Sequence, residues 1–482
     1  MSGTPADAMA ACRAAFAEGR TRPLAWRLAQ LDGLERLLVR EGRALVDAVV
    51  ADLGRAATEV RLTEVASVQR EVATLRRGLP RWVRDERVRT PLVLHPARSW
   101  IRREPLGVVG IVGPWNYPVN LLLVPLAAAV AAGNAAVLKP SEEAPATSAL
   151  LAERLGHYLD PSTVAVCEGG PSATEALVDA GPDHLFFTGS PRVGGLVGAR
   201  AAARLVPTTL ELGGKSPAVV DRSADVASAG LRIAWGKLLN AGQSCIAPDY
   251  VLVDDARAGE LLEALVGAVR RLYGPDPWRS ADYGRIVSDR HVDRLAGLLD
   301  GHGGRVVVGG EVDRVTRYVA PTVVVDPDPA APLLQEEIFG PILPVVRVRD
   351  ADEAAAWIRR RPDPLALYVF GEDRAVLDRL LATTRSGGVC WNTTMHQFAS
   401  PSLPFGGIGG SGIGAYHGRH GVERLSQLRP VLHKGRRLDL PLAYPPYPAW
   451  KGRLLTTALE LPSRLRVARR PAGGPPSVPT PQ

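Results

Sequence analysis

The chain has 482 residues, and its 58 lysines and arginines outnumber its 50 aspartates and glutamates to give a net charge of +8. With 46% hydrophobic and 22% charged residues, it has the composition of a folded protein, which excludes wholesale disorder. The basic surplus first suggests a nucleic acid, an anionic membrane surface or a phosphate-bearing ligand as partner. The length corresponds to roughly two to four compact units.

Cysteine usage and the apolar stretches indicate the compartment. The four cysteines lie far apart: Cys12, Cys167, Cys245 and Cys390. Because they form no CxxC pair or other metal-ligand spacing, we expect neither a disulfide framework nor a metal site, which fits a reducing cytoplasm. The N-terminus lacks a basic segment followed by an apolar one, so no secretion signal is predicted. The most apolar stretch, residues 121–133, is too short to span a bilayer.

The first hundred residues predict helices followed by a strand pair. Leucines recur every three or four positions from Leu24 to Leu38, and the apolar pattern continues to Leu53 before Gly54. This is typical of amphipathic helices that end at a glycine. Between residues 82 and 103 the pattern shortens and two prolines interrupt it, so we expect a strand pair or hairpin there.

After the strand pair, short apolar runs alternate with Ala- and Leu-rich stretches of helix length. The run 108–112, for example, precedes the helix-length stretch 119–132. This alternation predicts βαβ units around a parallel sheet. A second series begins at residues 218–220 and runs to about Gly388, so we expect two α/β units in tandem with a boundary near residues 212–216.

The C-terminal segment is basic and rich in proline. Residues 448–482 contain six basic residues and one acidic residue, so this tail carries +5 of the net charge of +8. Its apolar residues are interrupted by Pro462, which rules out a membrane span. The segment fits peripheral contact with an anionic membrane, where each basic residue contributes about 1 kcal/mol. A solvated tail, disordered over its last dozen residues, is the alternative.

Ligands of α/β sheets collect at the carboxyl ends of strands, so the loops after the predicted strands are examined first. The loop GPWNYP, residues 113–118, offers the Asn116 amide as a donor to an oxyanion, although Asn and Pro are also ordinary turn residues. The segment LKPSE contains Lys139 and Glu142. These side chains suit the ribose or phosphate of a nucleotide, or else simply face solvent.

Two further segments join a predicted strand to glycines. FTGSPRVG places Gly189 and Ser190 before a predicted helix, whose free N–H groups suit a pyrophosphate; a plain helix cap is the alternative. LELGGKSP places Glu211 in apolar surroundings, where burial would raise the pKa of its carboxyl and make it a usable base. A glutamate paired with Lys215 is the alternative.

The segment GQSC, residues 242–245, ends in a thiol that follows glycine and small polar residues. A free thiol has a pKa of about 8.5, so a small fraction is already thiolate at neutral pH, and a favourable local field increases that fraction. This setting makes Cys245 a candidate nucleophile. Cys12, Cys167 and Cys390 are instead expected to be small buried hydrophobes.

The order of these motifs along the chain is more specific than any one of them. GPWNYP, LKPSE, FTGSPRVG, LELGGKSP and GQSC, followed by EEIFGP and LPFGGIGGSGIGAYHG, resemble the aldehyde dehydrogenase superfamily in register from about Arg22 to about Ser426. Within it, GQSCIAPDY and SLPFGGIGGSGIGAYHG are most similar to the class 3 group, the fatty and aromatic aldehyde dehydrogenases. A departure is NTTMHQ, residues 392–397, in a segment that lines the substrate entrance in the family and varies among its members.

The resemblance implies an α/β fold of the aldehyde dehydrogenase type, with two Rossmann-type α/β domains and a β-hairpin that serves oligomerisation. A homodimer is expected on the same ground. The implied segments are an NAD(P)-binding domain (1–81 and 105–212), an oligomerisation hairpin (82–104), a catalytic domain (213–395), a bridging and oligomerisation segment (396–447) and the basic tail (448–482).

The implied activity is the NAD(P)-dependent oxidation of an aldehyde, medium- or long-chain aliphatic or aromatic, to the carboxylic acid. Cys245 attacks the aldehyde carbon to give a thiohemiacetal, whose oxyanion is held by Asn116 and by the cysteine's own N–H. Loss of hydride to the cofactor leaves a thioester, which is hydrolysed by water activated by Glu211.

NAD is the predicted cofactor, because a carboxylate at Glu142 bonds well to a 2′-hydroxyl and repels a 2′-phosphate. NADP is also compatible, since Lys139 provides a charge that suits phosphate. The cofactor-binding residues that the resemblance implies are Trp115, Lys139, Glu142, Gly189, Ser190, Gly194, Glu337 and Phe339.

A CoA-acylating enzyme, or a non-redox thiol acyltransferase or hydrolase, is the alternative that Cys245 alone would support. CoA-acylating relatives usually lack the glutamate found here at Glu211, and a non-redox enzyme leaves Lys139, Ser190 and Glu337 unexplained. Nucleic-acid binding is not expected, since only 5% of the residues are aromatic and no helix-turn-helix, zinc or RNP signature is present. We therefore expect a cytoplasmic enzyme, with membrane contact through the tail as the one open addition.

Overall fold

The computed structural model describes residues 4–91, 94–436 and 444–457. The greater part of the basic tail, residues 458–482, lies outside the described residues, and the predicted disorder of the last dozen falls there. In the part of the chain that the structure describes, no helix combines the length and the apolar character needed to cross a bilayer.

Helices dominate the first eighty residues and alternate with strands after them. In chain order the helices are α1 (Pro5–Ala17), α2 (Leu24–Arg40), α3 (Gly42–Leu53), α4 (Ala57–Val60), α5 (Ala66–Trp82), α6 (Asn120–Ala132), α7 (Pro145–Tyr158), α8 (Pro171–Asp179), α9 (Pro191–Ala202), α10 (Val226–Leu238), α11 (Ala258–Tyr273), α12 (Asp289–Leu299), α13 (Pro332–Gln335), α14 (Ala351–Arg359), α15 (Arg374–Thr383) and α16 (Gly418–Arg424). A π-helical turn, Arg61–Val65, joins α4 to α5. Residues 449–457 are also helical.

The strands form two large sheets and two small ones. In chain order they are β1 (Glu86–Val88), β2 (Arg98–Pro105), β3 (Val108–Val112), β4 (Ala135–Lys139), β5 (Val164–Val166), β6 (His184–Gly189), β7 (Thr208–Leu212), β8 (Pro217–Val220), β9 (Tyr250–Asp254), β10 (Arg305–Val308), β11 (Val312–Asp313), β12 (Tyr318–Val319), β13 (Thr322–Val325), β14 (Ile342–Val348), β15 (Ala366–Phe370), β16 (Gly388–Trp391), β17 (Gly412–Ile413) and β18 (Ser426–His433).

The leucine pattern at the start of the chain produces the helices α2 and α3. Leu31, Leu34 and Leu38 are buried on α2, as the spacing of three and four predicts. Gly54 follows α3 with φ of 62°, a left-handed conformation that glycine adopts without a steric cost from a Cβ. The predicted glycine stop is therefore confirmed.

The first large sheet has the order β17-β7-β6-β3-β4-β5. Strands β3 to β7 are parallel and β17 adds an antiparallel edge to β7. All residues of β3 and β4 are buried, which explains why both read as continuous apolar runs. Because β4 and β6 flank β3 on opposite sides, the loops after β3 and β6 lie at the switch point where such sheets bind ligands.

The second large sheet has the order β10-β13-β14-β9-β8-β15-β16. Its strands are parallel except for β10, which pairs antiparallel with β13. Strand β7 of the first sheet ends at Leu212 and β8 of the second begins at Pro217. The chain therefore passes from one sheet to the other in the segment where the sequence predicts a boundary, and the predicted α/β fold is confirmed.

The chain divides into two compact units. The larger consists of Met1–Asp85 and Arg102–Arg429, and the smaller of Glu86–Ile101 and Pro430–Gln482. In the smaller unit, β1 pairs antiparallel with the beginning of β2, with Val88 opposite Ser99. The strand pair expected between residues 82 and 103 is therefore present.

Asn134 connects three segments of the larger unit. It is fully buried, and its side-chain oxygen accepts a hydrogen bond from the Gly107 N–H at 3.0 Å. Its amide nitrogen donates to the Leu425 carbonyl at 2.9 Å and to the Ala129 carbonyl at 3.3 Å. These bonds join the end of α6 to the turn before β3 and to the end of α16.

We expect Asn134→Ala to lower the free energy of unfolding by about 2–4 kcal/mol, because it leaves buried backbone groups without their partners. The measurement is the thermal unfolding midpoint by circular dichroism. The control is Gln427→Ala, which removes an exposed amide. Equal midpoints for the two variants would contradict this account of Asn134.

Candidate active site

Cys245 follows a turn of unusual backbone conformation. Asn240, Ala241 and Gly242 have φ of 52°, 50° and 78°, and side chains disfavour this left-handed region. A Cβ on Gly242 would lie 2.2 Å from the Gly340 carbonyl oxygen, so the turn also requires glycine there. The loop carrying Cys245 precedes β9, and EEIFGP precedes β14, so both lie at the amino end of a strand, whereas GPWNYP, LKPSE, FTGSPRVG and LELGGKSP follow strands or begin in them.

Asn116 is hydrogen bonded to this turn on both its side chain and its backbone. It is 3% exposed, and its Nδ2 donates to the Gln243 carbonyl at 3.0 Å. Its own carbonyl accepts from Asn240 Nδ2 at 2.9 Å. The loop after β3 and the loop before Cys245 are thus held together, although 127 residues separate Asn116 from Gln243.

Glu211 lies within β7, between Thr188 of β6 and Gly412 of β17. Both of its carboxylate oxygens are buried, and neither accepts a hydrogen bond from any residue that the structure describes. Burial raises the pKa of this carboxyl well above its usual value, and the positive charge of Arg424 opposes that shift only in part.

The alternative pairing of Glu211 with Lys215 is wrong. Lys215 Nζ lies 2.7 Å from Asp249 and also donates to the Leu333 and Glu336 carbonyls at 2.8 Å. Lys237 Nζ, 1% exposed, lies 3.5 Å from the other oxygen of Asp249. The lysine that sequence proximity suggests for Glu211 is used instead to neutralise Asp249.

Glu337 is the second carboxylate of the region. Burial, followed by the negative charge of Asp249, raises its pKa to about 8, and one of its oxygens, Oε1, has no hydrogen-bond partner among the described residues. Its carboxylate lies against Gly213, where a Cβ would be 2.0 Å from Oε2. Glycine at 213 is therefore required for Glu337 to hold this position.

The thiol of Cys245 interacts electrostatically with both glutamates. Burial raises the pKa of the Cys245 thiol, and the negative charges of Glu337 and Glu211 add to the shift. The N–H groups of Cys245 and Ile246 oppose it by hydrogen bonding to the sulfur. The structure thus brings together three of the predicted residues, the thiol of Cys245 and two carboxylates that are poor in hydrogen bonds.

The predicted nucleotide residues Lys139, Glu142, Gly189 and Ser190 lie at the ends of β4 and β6 in the first sheet or directly after them. Lys139, the last residue of β4, is 2.5 Å from Glu142. Ser190 caps α9 by accepting the Val193 N–H at 3.4 Å, so the cap interpretation of this serine is confirmed. Gly194 packs against β7, where a Cβ would lie 2.4 Å from Leu212.

Aromatic rings link two further predicted residues to one that the sequence does not reveal. Trp115 stacks edge-on against Phe339, with ring centroids 5.5 Å apart. The ring of His291, in the first turn of α12, lies 5.4 Å from Trp115, and burial lowers the pKa of His291 to about 4. His291 belongs to no motif, so sequence reasoning had no signal for it.

Tyr416 lies in the segment LPFGGIGGSGIGAYHG, and the sequence predicts no role for it. It is 1% exposed, and its hydroxyl makes no hydrogen bond with a described residue. Burial raises the pKa of Tyr416 well above its usual value, and the charges of Glu211 and Cys245 contribute. Its polar group therefore lies within electrostatic range of the thiol and the buried glutamate.

The segment 392–397 is attached to α10. Thr394 Oγ1 donates to the Arg232 carbonyl at 2.8 Å, and the His396 ring lies 5.5 Å from the ring of Trp235. Gln397 donates to the Tyr368 hydroxyl at 3.3 Å, and that hydroxyl donates to the Ile246 carbonyl at 2.6 Å. A chain of hydrogen bonds thus joins this segment to the residue after Cys245.

Comparison with known proteins extends the similarity over nearly the whole chain. The model of the aldehyde dehydrogenase family matches residues 4–431. Human aldehyde dehydrogenase family 3 member B1 is 46% identical over 456 residues, which cover 94% of this chain and 97% of that protein. The dimeric NADP-preferring aldehyde dehydrogenase of Rattus norvegicus is 43% identical, with 92% of this chain and 98% of that protein covered.

The fold is also that of solved aldehyde dehydrogenases. The substrate-bound AldH of Staphylococcus aureus superposes with a TM-score of 0.91 at 38% identity, over 94% of this chain and 99% of that one. The NAD-dependent aldehyde dehydrogenase of Sinorhizobium meliloti gives a TM-score of 0.82 at 29% identity, over 90% of this chain and 87% of that one. The chain therefore belongs to the aldehyde dehydrogenase family and catalyses the NAD(P)-dependent oxidation of aldehydes.

Proposed function

We propose that Cys245 is the nucleophile of this oxidation and that Asn116 is a donor to the oxyanion it generates. The thiol loses its proton and its sulfur bonds to the aldehyde carbon, which places a negative charge on the former carbonyl oxygen. Asn116 Nδ2 has two N–H bonds, and the one directed at Gln243 leaves the other for this oxygen. The Cys245 N–H is the second donor, and each such donor lowers the barrier by roughly 3–4 kcal/mol.

The residues present fit a dinucleotide. The buried Oε1 of Glu337 lacks a partner that a ribose hydroxyl would supply. The start of α9, beside Gly189 and Ser190, is the positive end of the helix dipole, which suits a pyrophosphate. Lys139 and Glu142 are the proposed contacts of the adenosine ribose. The proposed lining of the dinucleotide site also includes Trp115, Gly194 and Phe339. When bound, the nicotinamide supplies the acceptor for the hydride that leaves the thiohemiacetal carbon.

Glu211 is the base that completes the reaction. A thioester remains on Cys245 after oxidation, and water must lose a proton to attack its carbonyl carbon, with the thiolate as leaving group and the carboxylic acid as product. The observation that carries this role is the burial of a carboxylate without hydrogen-bond partners beside the thiol. Such a group holds its proton more tightly than an exposed glutamate and is a stronger base.

The alternatives based on thiol chemistry alone are not favoured. A non-redox hydrolase or acyltransferase gives no reason for the unpartnered Glu337 oxygen. A CoA-acylating enzyme releases its thioester to another thiol and has no need of the buried base Glu211.

A medium- or long-chain aliphatic or aromatic aldehyde is the proposed substrate, in line with 43–46% identity to family 3 members and to a related dimeric enzyme. The same similarity supports a homodimer, whose assembly would involve residues 82–104 and 396–447. The proposed nucleotide-binding domain consists of residues 1–81 and 105–212. The proposed catalytic domain, with Cys245, consists of residues 213–395. Initial rates over a panel of aldehydes of increasing chain length test the substrate class.

The location of the enzyme is proposed to be cytoplasmic, because all four cysteines are free thiols. Of the tail, residues 448–457 are described, and Trp450 and Leu454 are more than half exposed there. Exposed aromatic and aliphatic side chains beside basic residues suit a membrane interface. Co-sedimentation with anionic vesicles, comparing the full chain with one ending at residue 447, decides between membrane contact and a solvated tail.

We expect Cys245→Ala to abolish NADH formation. Glu211→Gln should retain a first burst of NADH, while its steady-state turnover falls by about 10²–10⁴-fold, which is the usual contribution of a general base. Stopped-flow absorbance at 340 nm separates the two phases. Cys12→Ala, which removes a buried thiol from α1, is the matched control and should retain both. Wild-type turnover by Glu211→Gln would show that the base is another group.

The pH dependence of deacylation should follow the raised pKa of Glu211. Only the carboxylate form accepts the proton of water, so hydrolysis of the acyl-enzyme speeds up as pH rises through that pKa. An ordinary glutamate, with a pKa of about 4.3, would give a flat profile above about pH 6. The rate of single-turnover decay of the acyl-enzyme, measured from about pH 5.5 to 9, should therefore increase with pH above about pH 6, and Glu211→Gln should lose this dependence. A flat wild-type profile would refute the prediction.

Glu142→Gln should lower the KM for NADP about fivefold, because removing a partly exposed carboxylate near the ribose relieves roughly 1 kcal/mol of repulsion toward a 2′-phosphate. Steady-state kinetics with both cofactors give the ratio. Glu143→Gln makes the same charge change one residue along, where the side chain pairs with Arg290, and serves as control. An unchanged ratio of NAD to NADP efficiency in Glu142→Gln would exclude Glu142 as a determinant of cofactor preference.

A further inference from the structure

Arg55 is a fully buried charge with no part in the site described so far. It follows Gly54 at the end of α3, and its side chain is 0% exposed. Its guanidinium donates to Glu59 Oε1 at 2.8 Å, to Glu64 Oε1 at 3.1 Å and to Thr63 Oγ1 at 2.7 Å. Removing three charged groups from water costs several kcal/mol per ion, and well-packed apolar residues are often as stable. Stability alone therefore gives no reason for this cluster.

The remaining side-chain hydrogen bonds of Arg55, Glu59 and Glu64 connect the cluster to the Asn116 loop and to the turn before Cys245. Arg55 donates a further bond to the Asn116 carbonyl at 3.3 Å. Glu64 Oε2 accepts the N–H groups of Val119 and Asn120 at 3.2 and 2.8 Å, at the end of the same loop. Glu59 Oε1, which binds Arg55, also accepts the N–H of Asn240 at 3.1 Å. One ion cluster thus holds the loop of Asn116 and the turn before Cys245.

The turn before Cys245 needs such support. Asn240 and Ala241 are not glycines, yet both have positive φ, and backbone strain of this kind persists where surrounding contacts fix it. The hydrogen bond from the backbone N–H of Asn240 to Glu59 holds the backbone of the turn. The hydrogen bond from the side chain of Asn240 to the Asn116 carbonyl connects the turn to the neighbouring loop.

We propose that Arg55, Glu59 and Glu64 form a positioning cluster, which sets the Asn116 amide at the correct place and angle relative to Cys245 without touching the substrate. The proposal rests on the oxyanion role of Asn116 in the proposed function. Its physical basis is that a donor accelerates the reaction only when it is aimed at the position that the oxyanion will occupy. Displacement of a catalytic group by about 1 Å costs on the order of 10²-fold in rate.

The test is a double-mutant cycle between Glu59→Ala and Asn116→Ala. Glu59 is chosen because its side chain is 13% exposed, whereas Arg55 and Glu64 are wholly buried. The matched control is Asp183→Ala, which removes a carboxylate that accepts the Val108 N–H at 2.7 Å, at the opposite ends of the strands. Thermal midpoints of all variants report any general loss of stability.

Three rates are measured on each variant, with Cys245→Ala as the blank. The first is kcat/KM for aldehyde oxidation. The second is the rate of acylation of Cys245 by p-nitrophenyl acetate without cofactor, and the third is the rate of alkylation of Cys245 by iodoacetamide. The first two reactions pass through an oxyanion, whereas alkylation displaces iodide at a saturated carbon and forms none. A loss of positioning therefore slows the first two reactions alone.

Glu59→Ala is expected to slow oxidation and acylation about tenfold or more beyond the control, with alkylation unchanged within about twofold. In the Asn116→Ala background the same substitution should have little further effect, because residues that act through one group are not additive. If Glu59→Ala does not fold, Glu59→Gln keeps an oxygen for the Asn240 N–H while losing the charge that faces Arg55, and a smaller loss with the same non-additivity is expected.

The proposal is overturned if Glu59→Ala behaves like the control, if alkylation falls in parallel with acylation, or if the two substitutions multiply in the double variant. Each of these results can occur while Asn116→Ala alone is slow, in which case the oxyanion role of Asn116 stands and only the positioning role is lost. If Asn116→Ala acylates at the wild-type rate, the proposed function itself is wrong at that residue, and the positioning role is excluded with it.

Discussion

The left-handed turn of residues 240–242 constrains the geometry of the whole site. Backbone conformations of this kind cost on the order of 1–3 kcal/mol each in residues other than glycine, so the turn is not stable by itself. It is maintained by contacts from segments that are remote in the chain, including Asn116 in the loop after β3 and Gly340 beside Gly242. The location of the Cys245 thiol is therefore determined by the assembled fold rather than by its own loop.

Buried carboxylates in this region fall into two kinds, and the difference separates structural from reactive groups. Asp249 is neutralised by Lys215 and Lys237 and accepts the Ile338 N–H, so its charge is satisfied. Glu211 is as deeply buried but has no such partners among the described residues, which makes its charged form costly. A lysine beside Glu211 would lower the pKa that burial raises, so the lack of such a partner keeps this carboxyl unlike Asp249.

The sequence predicted those parts of the molecule that depend on local patterns. The run 108–112 coincides with β3 because a strand buried on both faces is apolar throughout. The same reasoning predicts the parallel sheets and the link between them. It places the loop of Cys245 after a strand, whereas the loop lies before β9. Arg55 and His291 were missed because their partners are remote in the chain and no motif surrounds them. The alternative that pairs Lys215 with Glu211 follows from their closeness in sequence and fails because the partner of Lys215 is Asp249, 34 residues away.

The antiparallel edge formed by β17 has a consequence for biosynthesis. Glu211 lies on β7, whose outer neighbour consists of Gly412 and Ile413, about two hundred residues further along the chain. At roughly 5–20 residues per second, the ribosome needs about 10–40 s to deliver that neighbour. During this interval the edge of β7 is open to pairing with other chains, as unprotected sheet edges are. The segment that finally encloses Glu211 is therefore also the one that closes the nascent sheet against aggregation.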